Sequence, residues 1–380
     1  LEYAVNTMAA RAAQSAVGGP DPCLTRVRPP AYFLLLVAGY EQTHKARGVL
    51  ADAAWYAQAL GRIVVEPAVK DSRIIAPWLH RWRGLSLSHY WTLEPFCVAS
   101  PTIRLRPFLR YASAMALNRS RVDLHVISKL HKPLQFRGMR TALRTYATAS
   151  EAVDYVNHAI RVATGTAMPR PPSLLVLHSF KRHRPGDFAR IKLDTPARIN
   201  RRADALVQGS PPFACVQWRT EDSPIHGSVA GSSRCAASLA AATLSRMAPS
   251  APGGIRQVSI VSDIFAGTSD TLSHGAAHAE ARRVLLAKLP LSRIQHAFTI
   301  INDTGMRGIL ELQVCARAAV VMTCGMRGLM RKLGVEGPPN ETSSTCLECV
   351  KSNSGFTRHL IETRSRLQEG AGQGLKAYYW

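Results

Sequence analysis

Apolar residues in this chain fall into short unbroken runs and into longer stretches of helical spacing, separated by polar loops, and the alternation begins at residue 31. Residues 31–38 read as a buried strand, 39–44 as a polar loop, 45–60 as an alanine-rich helix and 62–65 as a second strand ending at Pro67. Such a β-α-β unit makes its strands parallel and places the first strand's C-terminal loop at a crevice where ligands of open α/β sheets bind. Residues 100–170 hold many Arg and Lys among helix formers. Within them, 151–164 carries Val153, Val156, Ile160 and Ala163 at helical spacing, and 173–177 follows a proline-rich break as another buried strand.

The second half restarts the rhythm. Strand 213–218, a Gly/Ser-rich loop 223–233, helix 236–247 and strand 258–262 precede helix 279–289, strand 298–301, helix 307–318 and strand 319–323. Alternation of this kind predicts an α/β fold with doubly wound parallel sheets, here two Rossmann-like domains facing a cleft. The expected divisions are a flexible leader 1–29, an N-terminal domain 30–205, a C-terminal domain 206–365 and a tail 366–380. The crossover is placed in the basic, proline-broken stretch 181–202. No solenoid-length repeat is visible, and the glycines of 370–374 follow no strand, so they read as tail rather than phosphate loop.

Composition supports folding: 46% of the 380 residues are hydrophobic and 19% charged, which argues against a largely disordered chain. Charge adds a constraint. With 48 Lys+Arg against 25 Asp+Glu, the formal net charge of +23 predicts an anionic partner: nucleic acid, acidic glycan, anionic membrane or nucleotide phosphate. The longest apolar run, 32–38, is far short of the roughly 20 residues that span a bilayer. The chain opens on Leu1, so its start does not speak against an upstream targeting segment, and a membrane link is expected only through a segment absent from this chain.

Eight cysteines include one C-x-x-C, Cys346 and Cys349, while Cys23, Cys97, Cys215, Cys235, Cys315 and Cys324 are dispersed as disulfides or core thiols would be. Asn118, Asn302 and Asn340 stand in glycosylation tripeptides, and the reading leans to the secretory lumen, Golgi or endoplasmic reticulum.

Three segments could carry chemistry. The first is 213–222, FACVQWRTED, a strand delivering Arg219, Glu221 and Asp222 into a loop; a guanidinium there can hold a diphosphate bidentately, or simply pair with Glu221 at the surface. The second ends strand 258–262 on Asp263, placed to accept hydrogen bonds from a base or ribose, or to cap a helix. The third runs from Asp303 through a helix bearing Glu311 to a small-residue strand with Thr323 and Gly325. His278 and Glu280 with the C-x-x-C superficially imitate a zinc deaminase, but Thr345 stands where Pro is expected. The basic run 181–202 lacks interleaved aromatics and any RNA- or DNA-binding pattern, so a nucleic-acid partner is not expected.

Together, residues 39–67, 213–222, 258–267 and 303–325 resemble the GDP-fucose protein O-fucosyltransferase superfamily, especially its plant and algal branch. The resemblance spans roughly residues 30–335 in motif order. It implies the GT-B architecture and inverting, metal-independent transfer of fucose from GDP-fucose to a hydroxyl of a protein or glycan, the acceptor being acidic if the charge serves it. Under that resemblance Arg219 holds the donor's β-phosphate and stabilises the departing nucleotide. Arg47 is the loop arginine, Glu221 and Asp222 the acidic pair and Glu311 the acidic helix position. His44, Gln217, Asp263, Thr323 and Gly325 fall among the donor contacts, and Glu41 and Glu221 are the candidate bases. The chain departs from the pattern at His44, where Asn is usual, at Gln217, where His is usual, and at Arg327, where many members have serine. These departures leave a second reading, a catalytically degenerate relative that binds acidic glycans, and a third, a basic nucleic-acid-binding protein with coincidental motifs.

Overall fold

A computed structural model describes residues 21–28, 31–42, 50, 53–54, 56–58, 61–70, 73–75, 85–114, 121–127, 140–146, 174–179, 194–218, 228–247, 254–262, 275–299, 301, 303–323, 349, 355–371 and 376–379. The chain divides into two units, Leu1–Pro196 and Ala197–Trp380.

The first unit is organised around β1 (Phe33–Gln42). Its first half pairs in parallel with β2 (Ile63–Val65) on one side and β9 (Leu174–Ser179) on the other, as the β-α-β reading requires. Residues 53–54 and 56–58 are helical between them, and Gly61, at φ 59°, turns the chain into β2. β2 continues to β6 (Thr102–Ile103), and β9 to β7 (Arg121–Ile127) and β8 (Arg140–Tyr146), all parallel.

Beyond Val37 the strand does not stop. Residues 39–42, expected as loop, extend β1 because its second half gains an antiparallel partner, β4 (Arg73–Ile75), which pairs with β3 (Ala68–Lys70) and through it with β5 (Leu85–Ser86). The sheet is therefore mixed, a parallel body with an antiparallel flank. Phe33 packs edge-on to Phe108 and Tyr111, with ring centroids at 5.0 and 5.2 Å, under helix α2 (Leu105–Ala114). Glu66, buried at the end of β2, accepts from the Ser88 and Leu105 amides at 2.9 Å each, so its carboxylate caps the start of α2.

The expected leader is anchored over residues 21–28. Cys23 is disulfide-bonded to Cys97 on α1 (Glu94–Ala99), Leu24 bridges to Ile103, and Asp21 meets Arg104 at 2.9 Å. Partial burial works against the Asp21 charge, but hydrogen bonds from the Arg104 side chain and the Cys23 amide outweigh it and hold the carboxyl below its usual range.

The second unit carries a four-stranded parallel sheet in the order β11 (Gln257–Ser262), β10 (Phe213–Trp218), β12 (Val320–Thr323), β13 (Lys376–Tyr379). Helix α3 (Ala197–Val207) packs on α7 (Thr304–Ala316), and Asp204 pairs with Arg317 at 2.6 Å, so the boundary expected at 205/206 falls inside a helix of this unit. Arg198, Arg201 and Arg202 lie exposed on α3 while Ile199 and Ala203 are buried, which makes this part of the basic run one face of an amphipathic helix.

Three expectations are corrected here. Residues 298, 299 and 301 are not strand: α6 (Arg293–Thr299) takes in the first two and buries Ile294 and Phe298 four residues apart. The outer edge of β11 is closed instead by side chain and turn, since Gln295 Oε1 accepts the Ile260 amide at 2.8 Å and Ser292 N–H donates to the Val258 carbonyl at 2.8 Å. Secondly, the tail is structured: α8 (Gly355–Ala371) leads into β13, which extends the sheet. Thirdly, helix α4 (Val229–Met247) begins inside the expected Gly/Ser loop, where Ser228 Oγ accepts the Gly231 amide at 3.1 Å and caps it. No helix among the described residues is long and apolar enough to cross a membrane.

Candidate functional site

The strand order of the second unit defines a switch point. From β10 the chain moves outward to β11 on one side and later to β12 and β13 on the other, so the C-terminal ends of β10 and β12 border the crevice that such sheets use for ligands.

The two faces of β10 have different partners. Ala214, Val216 and Trp218 pack with α4 and α5 (Gly275–Lys288) in the main hydrophobic cluster. Cys215 and Gln217 face the other way. Cys215 is disulfide-bonded to Cys315 on α7, and Gln217 Oε1 accepts from Thr323 Oγ1 on β12 at 2.7 Å and from Thr357 Oγ1 on α8 at 2.8 Å. Two hydroxyl donors converge on one carbonyl oxygen, so the amide is fixed with Nε2 turned away from them. Gln217 is 1% exposed, and that Nε2 is buried without a partner.

Both helices on this face run into strands of the sheet, α7 into β12 and α8 into β13, so their N-terminal turns lie at the rim where the strands end. Thr357 shows this directly for α8. In α7, Asp303 caps the helix by accepting the Met306 amide at 2.8 Å, and one turn on Arg307 Nε donates to Glu311 Oε1 at 2.8 Å. Both partners of this pair are buried, Arg307 at 8% and Glu311 at 7% exposure. A second lock holds the opposite face: Trp218 Nε1 donates to the Cys349 carbonyl at 3.3 Å, and Cys349 is bonded to Cys235 on α4 rather than to its C-x-x-C neighbour Cys346, which lies outside the described residues.

Of the residues expected to bind a donor, Gln217 and Thr323 are brought together near the ends of β10 and β12, and Glu311 lies on α7, the helix bonded to β10 through Cys315 and Cys215. Glu41 belongs to the first unit, in the antiparallel half of β1. His44, Arg47, Arg219, Glu221, Asp222, Asp263, Gly325 and Arg327 lie outside the described residues, although β10 ends one residue before Arg219 and β11 one residue before Asp263. Thr357 and Arg307 were not anticipated. Arg307 was legible as the i,i+4 partner of Glu311; Thr357, 140 residues from Gln217, carried no local signal.

Replacing Gln217 with Met should cost about 2 kcal/mol, because two buried hydroxyls lose their acceptor. Thr357→Val, which removes one donor and its polar atom together, should cost less. Chemical denaturation of the two variants checks the order.

No family model matches the chain, nor does any curated protein. Solved fucosyltransferases match nearly its whole length. POFUT1 in complex with GDP-fucose is 12% identical, covering 93% of this chain and 99% of that chain at a TM-score of 0.47, and POFUT1 in complex with GDP gives 12%, the same coverage and 0.48. Fucosyltransferase NodZ from Bradyrhizobium is 14% identical over 87% of this chain and 92% of that one, at a TM-score of 0.36.

Proposed function

We propose that this chain is a fucosyltransferase-like glycosyltransferase of GT-B type that binds a GDP-sugar at the switch point of its second unit. The observation that carries the reading is the position of the FACVQWRTED segment. Its strand is the central one at the switch point, and it ends immediately before Arg219, the residue that the family resemblance gives to the donor's β-phosphate.

The chemistry proposed is inverting transfer of fucose to a hydroxyl of a protein or glycan without a metal. Arg219 stabilises the negative charge that grows on GDP as the bond between C1 and the phosphate oxygen breaks, the N-terminal turns of α7 and α8 add positive potential at the same rim, and Glu221 takes the acceptor's proton. The buried Gln217, Thr323 and Glu311 hold the floor of that site. Three disulfides among the described residues fit an oxidising compartment, in line with a secretory-lumen enzyme.

Thermal unfolding against GDP, GDP-fucose, GDP-mannose, UDP and UDP-sugars, with and without EDTA, tests the reading. A ligand at 100 times its dissociation constant adds about 2.7 kcal/mol and raises the midpoint by a few degrees. An EDTA-insensitive shift, larger for GDP compounds than for UDP compounds at equal concentration, is expected, and Arg219→Ala should remove most of it while the unliganded midpoint stays in place. Unchanged affinity in that variant would sink the assignment of Arg219.

The exposed arginines of α3 favour one second reading, a glycan-binding relative without turnover. Heparin affinity with no nucleotide-induced shift would decide for it.

A further inference from the structure

Helix α7 presents one stripe to the sheet, residues 307, 311 and 315, each one turn from the next. Cys315 fixes the height of that stripe through its bond to Cys215. Gln217 stands two residues further along β10, about 6.6 Å up, and Glu311 one helical turn up, about 6 Å, so the two are level. Arg307 is a further turn on, about 12 Å above Cys315, where β10 has already ended. The helix thus carries a guanidinium to the rim of the switch point.

Nε of that guanidinium is committed to Glu311, yet Nη2 is buried with no acceptor. One level below, the Gln217 Nε2 is in the same condition. Buried donors are satisfied almost without exception, since each has given up its water. Two unmatched donors on one face of one crevice, at the N-terminal turn of a helix of 13 residues, offer hydrogen bonds that a ligand seated at the rim can take up.

We propose that Arg307 is a ligand-binding residue of this site, its Nη2 donating to an anionic oxygen of the diphosphate in the nucleotide-sugar donor. This rests on the donor reading given above and deepens it. Glu311 balances the guanidinium charge and pins its plane, so Arg307 acts as a directed donor more than as a free charge; Glu311 is here a positioning residue. Lysine, with the same charge and no fork, does not replace it.

The test is calorimetric titration of wild type, Arg307→Lys and the double variant R307M/E311L with GDP, UDP and inorganic pyrophosphate. The double variant removes both charges of the buried pair together, and circular dichroism with the thermal midpoint verifies its fold. Both variants are expected to bind all three ligands about tenfold or more weakly than wild type. A loss confined to GDP would put the contact on the base and overturn the diphosphate assignment. Unchanged affinity for all three would overturn the role of Arg307 while leaving the donor reading standing. Wild-type binding of pyrophosphate without preference for GDP, lost in the variants, would keep the inference and remove the GDP-sugar reading. No binding of any of the three by wild type would overturn both.

Discussion

Replacing Cys215 and Cys315 together with alanine is expected to destabilise the second unit by about 4 kcal/mol and to weaken nucleotide binding in the protein that remains folded. The bridge closes a loop of sequence separation 100, for which the chain-entropy model gives about 4.7 kcal/mol. Cys235–Cys349, with separation 114, closes an overlapping loop of the same unit. With one bridge in place the unfolded chain is already constrained, so the first bridge removed should cost less than the second, and removing both should cost more than twice a single loss. Chemical denaturation of each double-alanine variant, and of the protein under a thiol reductant, measures this. The binding effect separates the two bridges. Cys315 sets the height of the stripe bearing Glu311 and Arg307, whereas Cys349 lies with the hydrophobic cluster on the opposite face. At equal stability loss, only the 215–315 variant should lose affinity for a nucleotide diphosphate; equal affinity in both would mean that the stripe keeps its position without the bridge.

The sequence showed the second sheet more plainly than the first, for a physical reason. Strands β10, β11 and β12 are covered on both faces, so they read as short, mostly apolar runs with no charged residue, and their limits were found to within a residue. In the first unit, β8 has the sequence RTALRTY, with no clean period, and β7 has RVDLHVI, where apolar and polar residues alternate. That period of two was submerged in a stretch dense with Arg and read by its helix formers. The antiparallel flank escaped because strands of two and three residues are fixed by their neighbours, not by their own pattern.

The site was half legible in the same way. Gln217, Thr323 and Glu311 lie in or beside strong elements, so motif order reached them. Thr357, the pairing of Cys349 with Cys235 and the edge-closing Gln295 depend on tertiary meetings that no local spacing announces.

Arg364→Met is expected to cost about 3 kcal/mol, although the residue touches no expected ligand. Arg364 is 2% exposed on α8, and its guanidinium donates to the carbonyls of Ala316, Ala318 and Ala319 at 3.3, 2.7 and 3.2 Å. Those carbonyls end α7 and begin the turn into β12, so one side chain closes the last turn of the helix that carries Arg307 and Glu311. Burial pulls its pKa down to about 10, which still leaves it charged at neutral pH. Met fills a similar volume and removes the desolvated charge, a gain that offsets part of the loss. It also takes a donor from three carbonyls, two of them in buried hydrogen bonds, at about 1–3 kcal/mol for each buried group left without a partner, so the balance is destabilising. Lysine should recover only part of it, because an ammonium cannot span three carbonyls from one rigid plane. Equilibrium denaturation at pH 7 of wild type, Arg364→Lys and Arg364→Met should give that order of stability. A Met variant as stable as wild type would show that the α7–β12 turn is held by packing alone and that the guanidinium's hydrogen bonds do no more than repay its burial.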